Sequence, residues 1–298
     1  MLDPLLTILL LAAPGAQATL QATPDPTLRS PDPVSVAQPV SVVQPVSVAL
    51  RVSVAQPVSV AQDDDEDEKP DKRPEVKELL ALLKGHAGKR GKQDQQAIEV
   101  IDELLGEFEE SGLKDRAAIA KGIGATLKQK RQETDGVRDN KLYLASATAL
   151  GRMGPESVKP ITGWIGHKTH RKDLALQRIL ILSLGKTKFE KSVDTLTDLL
   201  DNKDATVQAA AAEALANFDG SDQKVRKECF KEILQALMGV NNRVKADVND
   251  TIARERYDVI AAPMITSLQV LSGNDERKPD RWQRWWNKNK KRNWDRED

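Results

Sequence analysis

The chain is poor in cysteine, histidine and aromatic residues and carries no net charge, and each scarcity removes a class of function. With Cys229 as the lone cysteine, no intrachain disulfide can form, and its setting in Glu228 to Ile233 predicts a buried, inert thiol. Aromatics at 4% are too few for the core of a large globular enzyme but suit helices packed through Ala and Leu. Forty-five Lys and Arg against forty-five Asp and Glu exclude a globally basic nucleic-acid binder and leave only local charge asymmetry. The apolar run Leu5 to Leu11 is far shorter than the roughly 20 residues that cross a bilayer, so no retained transmembrane helix is expected.

Catalytic groups are scarce as well. His167 and His170 form a His-x-x-His, but two ligands with no third His, Cys or paired carboxylate in the loop predict surface histidines rather than a zinc site. The neighbouring carboxylates Asp102 and Glu103, or Glu109 and Glu110, diverge on a helix and read as solvated faces. Gly85, Gly88 and Gly91 break a helix, yet no strand precedes them and no phosphate-loop spacing follows. The expectation is a chain with no catalytic residue, metal or cofactor.

What is present is a repeat. Leu150-Gly151, Leu184-Gly185 and Leu215-Ala216 recur at intervals of 34 and 31 residues, each closing an aliphatic helical run. Val158, Ile161, Trp164 and Ile165 are answered 35 residues later by Val193, Leu196, Leu199 and Leu200. Units of this length hold two short amphipathic helices that cannot bury their apolar faces alone, which predicts an all-α fold, an α-solenoid with its core between neighbouring units. Further helices are expected at Val76 to Leu83, Ile98 to Phe108 and Ala117 to Leu127 as degenerate N-terminal repeats. Val244, Val248 and Ile252 predict one helix after the clear repeats, and Ile260 to Leu271 another, with Pro263 kinking it or marking its first turn.

The segments Ala147 to Gly154 and Ala209 to Ala216 resemble the first helix of HEAT repeats, and Asp201 to Val207 resembles the turn that introduces it. The resemblance implies a scaffold that presents its surface to other macromolecules. Gln208 stands where HEAT repeats often carry Arg, which puts the usual Asp and Arg ladder between units in question. Some HEAT-like proteins resemble bilin lyases, but no residue pattern here supplies that chemistry.

The ends differ from the middle. Residues 1–18 read as a signal peptide, with Ala16 and Ala18 at small-x-small cleavage positions, although Asp3 stands where a basic residue is usual. Export to the periplasm, cell envelope or exterior is the expectation. Residues 19–73 read as a disordered linker with five hexads of the Pro-Val-Ser-Val-Ala-Gln type and a run of six carboxylates, Asp63 to Glu68. Residues 74–273 form the solenoid, and 274–298 a Trp-rich basic cap or tail. Between Lys278 and Arg292 lie seven Lys or Arg and one acid, Asp280. A helix here would gather Trp282, Trp285 and Trp286 on one face, with Arg281, Arg284 and Lys288 around them. Those six residues either close the open end of the solenoid or meet an anionic surface or polymer. The leading expectation is an exported scaffold for a protein partner whose identity the sequence does not carry.

Overall fold

The computed structural model describes residues 69–131, 133–134 and 137–295. The expected signal peptide, the hexads and the acidic run lie outside the described residues. The helices are α1 (Pro74–Ala87), α2 (Asp94–Glu109), α3 (Leu113–Thr126), α4 (Lys141–Leu150), α5 (Val158–Thr162), α6 (Leu174–Lys186), α7 (Val193–Asp198), α8 (Ala205–Leu215), α9 (Gln223–Ala246), α10 (Thr251–Ser272) and α11 (Pro279–Asn289). A ladder of two-residue strands, β1 (Glu133–Thr134) and β2 (Val137–Arg138), decorates the α3–α4 connection.

The helices stack in two layers. Even-numbered helices run α2, α4, α6, α8, α10, each packed on the next, and each also packs on the odd helix before it. In the odd layer α1 packs on α3, α3 on α5, and α7 on α9. This is an α-solenoid whose apolar faces are buried between successive units. The echoed positions Val158 and Val193 are the first residues of α5 and α7, and a short 3₁₀ turn precedes each.

Small residues set the spacing of the even layer. A Cβ on Gly151 would lie 2.8 Å from the Ser183 Cβ, and one on Gly185 would lie 2.7 Å from the Ala214 Cα. The glycines of the Leu-Gly repeats are therefore where α4 meets α6 and α6 meets α8. Side-chain caps start the last three helices of this layer, α6, α8 and α10: Asp173 accepts from Leu176 N at 3.0 Å, Asp204 from Thr206 N at 2.8 Å and Asp250 from Ala253 N at 2.8 Å. Near the N-terminal end a buried ion pair ties three segments together. Arg131 Nε donates to Asp94 at 2.8 Å and Nη1 donates to the Ala87 carbonyl at 3.1 Å. Burial outweighs the neighbouring guanidinium and raises the Asp94 carboxyl above its ordinary value.

Four expectations are corrected. The folded part begins before Pro74: Pro70 O accepts from Gly112 N, and Asp71 Oδ1 accepts from Lys114 N and Asp115 N, so residues 69–73 are bound to the α2–α3 turn rather than belonging to a linker. Gly85 does not break a helix but lies inside α1, which ends at Gly88. Val244, Val248 and Ile252 do not share a helix. Val244 lies in the last turn of α9, Val248 stands in a turn built on the Asp247 and Asp250 side chains, and Ile252 lies in the first turn of α10. Of the two places expected for Pro263, only the first turn is excluded: it sits inside α10, where the N–H it lacks would have reached Val259, itself exposed to water.

Candidate interaction surfaces

Among the described residues no group of three or more His, Cys, Asp or Glu is placed to hold a metal ion. The expected pair of surface histidines is corrected for one member. His170 is buried, its Nε2 lies 2.7 Å from the Leu127 carbonyl, and its ring meets Tyr143 and Trp164 edge-on at 4.8 and 5.4 Å. His167 remains half-buried against Trp164. The imidazole of His170 fastens the α5–α6 loop to the end of α3, which is why a spacing suited to metal binding is used for packing. Cys229 is buried in α9, and desolvation pushes its thiol up to about 12.

The loops between odd and even helices are built alike. Gln177 and Gln208, 31 residues apart, occupy the fourth position of α6 and α8 and are both buried. Gln177 Oε1 accepts from Gly166 N at 2.7 Å while its amide donates to Trp164 O at 3.3 Å. Gln208 donates to the Leu200 carbonyl and accepts from Arg256 Nη1 at 2.9 Å. Arg256, which also donates to Asn202 O at 3.1 Å, thus reaches from α10 to the site where Gln208 replaces the usual arginine. A second link between units is the ion pair of Arg178 with Glu213, at 2.7 Å.

Between these two glutamine-braced loops lies a groove of about 630 Å³, with Ile165, Leu174, Leu199 and Val207 among its apolar walls and Asp198, Asp201, Arg171 and Lys203 along it. Leu174 is 42% exposed there. Periodicity marked these residues only as helix starts and ends. It gave no sign that two loops would enclose open apolar surface.

At the C-terminal end α11 folds back on α9. Its three indoles converge on a residue that sequence patterning did not single out, Phe230. Trp282, Trp285, Trp286 and Trp294 have ring centroids 5.6, 5.3, 5.2 and 5.4 Å from that ring. Trp282 is fully buried, the other three are half-buried, and Arg281, Arg284 and Lys288 stay exposed. Polar contacts hold the element in place. Lys245 pairs with Asp280 at 2.5 Å, and Lys227 donates to Arg292 O at 2.7 Å while lying 5.6 Å from the Trp294 ring centre. Arg281 meets Glu276 at 3.9 Å, while Arg284 and Lys288 are exposed and, among the described residues, lie in no salt bridge.

Stacked helix pairs, glutamine-braced loops and a terminal helix folded back on α9 define an α-solenoid of repeats. Residues 137–216 and 168–246 match the family profile of HEAT repeats, and the two matches start one repeat period apart. The segment 137–246 is a run of HEAT repeats. Comparison with curated proteins and with solved structures gave no match.

Proposed function

We propose that the chain is an exported, non-catalytic scaffold that binds a protein partner through its HEAT repeats. The observation that carries this reading is the groove between the α5–α6 and α7–α8 loops. It lies within the matched repeats, its floor is fixed by Gln177, and it exposes Leu174 beside Asp198 and Asp201, an apolar strip with a polar rim of the kind that protein interfaces use. Immobilised full-length chain should retain a discrete protein from its native envelope or exported fraction, and Leu174→Arg with Val207→Arg should lose it while melting unchanged. Retention that ignores both substitutions, or none at all, would sink the reading. Export is tested separately by N-terminal sequencing of the native protein. Thr19 is the expected first residue, and a native chain beginning at Met1 would remove export from the proposal.

A second reading rests on α11. Arg284, Lys288, Lys290, Lys291 and Arg292 are all exposed on one short stretch, have no salt bridge among the described residues, and lie beside three half-buried indoles. Phosphate-rich polymers or anionic lipid surfaces fit such a face. Binding to heparin or to anionic vesicles that falls steeply between about 50 and 200 mM salt supports it. Binding insensitive to salt, or unaltered by Arg284→Glu with Lys288→Glu, excludes it.

A further inference from the structure

A second groove, of about 290 Å³, lies between α1 and α3, ahead of the matched HEAT segment. Leu80, Leu83 and Ala87 line it from α1, and Ala118, Gly122 and Ala125 from α3. Each trio follows helical spacing, so each helix turns one apolar stripe toward the groove. The α3 stripe is made of small residues, and Gly122 is held to its size by Leu80, whose Cδ2 would collide with any Cβ placed there. Leu80 thus covers Gly122 from the α1 side, and the small residues of α3 that remain open are Ala118, half-buried, and Ala125, exposed. The charged residues among the lining are Lys84 and Lys121, both exposed and, among the described residues, in no salt bridge. No acid lines the groove. The next interval of the same layer, between α3 and α5, is closed: Pro160 fills it, its Cβ 2.8 Å from where a Cβ on Gly124 would stand, and the Trp164 indole donates to Gly124 O at 3.1 Å.

From the charge and shape of this groove we infer that it receives an acidic amphipathic helix of a protein partner. Aliphatic side chains spaced i, i+3, i+4 and i+7 fill the slot between the two stripes, and carboxylates on the flanks of that helix pair with Lys84 and Lys121. Both walls carry the same sign, which selects against basic helices as well as for acidic ones. The inference rests on the scaffold reading but uses a different surface from the α5–α8 groove, so the two can fail separately.

The test uses the full-length chain and a fluorescein-labelled, end-blocked 16-residue peptide of Leu, Ala and Glu with Leu at helical spacing. Companions carry Lys in place of Glu, or the same composition without helical periodicity. Fluorescence anisotropy should show the patterned acidic peptide binding at least tenfold tighter than either companion. Lys84→Glu with Lys121→Glu should weaken it at least tenfold, and so should Ala125→Trp, which fills the slot from an exposed position without changing charge. Leu174→Arg with Val207→Arg should leave it alone. Equal binding of patterned and unpatterned acidic peptides would reduce the effect to general electrostatics and overturn the inference. Undiminished binding to Ala125→Trp would overturn it too. Binding that emerges only after Asp63 to Glu68 are changed to Asn and Gln would assign the groove to the chain's own acidic run, and the external partner would be withdrawn.

Discussion

Asp71 supplies the N-terminal cap of α3 that Gly112, at the capping position, has no side chain to make. Its Oδ1 accepts from the amides of Lys114 and Asp115 at 2.9 and 3.1 Å, and a Cβ on Gly112 would stand 2.6 Å from that oxygen. The two residues are matched: the space that glycine leaves is the space the carboxylate occupies. Asp71→Ala should cost about 1 kcal/mol in urea denaturation, the usual loss for a cap, and Gly112→Ala should cost at least as much. Since both remove one interaction, the double variant should fall well short of their sum. A chain starting at Lys69 should unfold at the same urea concentration as one starting at Thr19, whereas a start at Pro74 should lower it. Equal midpoints for the starts at Lys69 and Pro74 would show that residues 69–73 contribute nothing to folding.

The even layer depends on a missing side chain at Gly185. Gly185→Val must displace the Ala214 backbone, and overpacking of this kind costs about 1 to 3 kcal/mol, here raised by the rigidity of the helix it meets. Leu215→Asp places an unpaired carboxylate at a fully buried position and should cost several kcal/mol. Thermal melts of the two variants decide the matter. Wild-type stability in either would mean that α6 and α8 are not packed as described.

Acid should loosen the C-terminal end first. Asp280 is held below its usual range chiefly by the hydrogen bond from Lys245, Glu276 by the amides of Lys278 and Arg277, and Asp250 by the amide of Ala253. For carboxylates depressed in the folded state, the stabilisation is complete above the ordinary values of 3.8 for Asp and 4.5 for Glu and is lost as pH falls below them. Because four of the five tryptophans lie on or beside α11, their emission should shift to the red below about pH 4, before the helical signal of the array declines. Trp282→Ala should bring the same shift on at neutral pH, with a loss of about 3 to 5 kcal/mol. Coincident loss of both signals on acidification would show that α11 is not an independent weak point.

Cys229 offers a probe of the core. With its thiol pushed up to about 12 and its side chain enclosed, iodoacetamide at pH 8 should leave the native protein unlabelled for hours and modify it quickly in urea. The sign of its linkage is opposite to that of the carboxylates above. An acid raised in the folded state keeps a proton that the unfolded chain releases, so stability falls as pH rises from the ordinary 9.0 toward 12. Mass spectrometry of the labelled chain measures the first effect and alkaline melts the second. Rapid native labelling would place the thiol at the surface.

How legible the structure was in the sequence depended on the range of the interactions involved. The 35-residue echo from Val158 to Val193 set the start of both short helices, because periodic burial is written locally in side-chain polarity. Leu-Gly at 184 and 185 likewise marked the seam. His170 was misplaced because its burial is decided by Leu127 and Tyr143, which lie far away along the chain. Val248 and Ile252 kept helical spacing across a turn whose cause is two aspartate side chains, a signal that apolar periodicity does not contain. The indole cluster was readable as one helical face, but its centre at Phe230 was not, since residues more than 50 positions apart have no spacing rule to connect them.

By lying on α9, the helix α11 takes the place that the first helix of another unit would need. The array therefore has a fixed end. A gene duplication that lengthened it could insert a repeat ahead of α11 and keep the indoles seated on a new α9-like neighbour, provided an aromatic residue stood where Phe230 stands. One that added a repeat against α11 would meet the exposed Arg281, Arg284 and Lys288, with the indoles already turned toward Phe230. Chains of this architecture are thus expected to vary in length through their middle, with the tryptophan-bearing segment kept last.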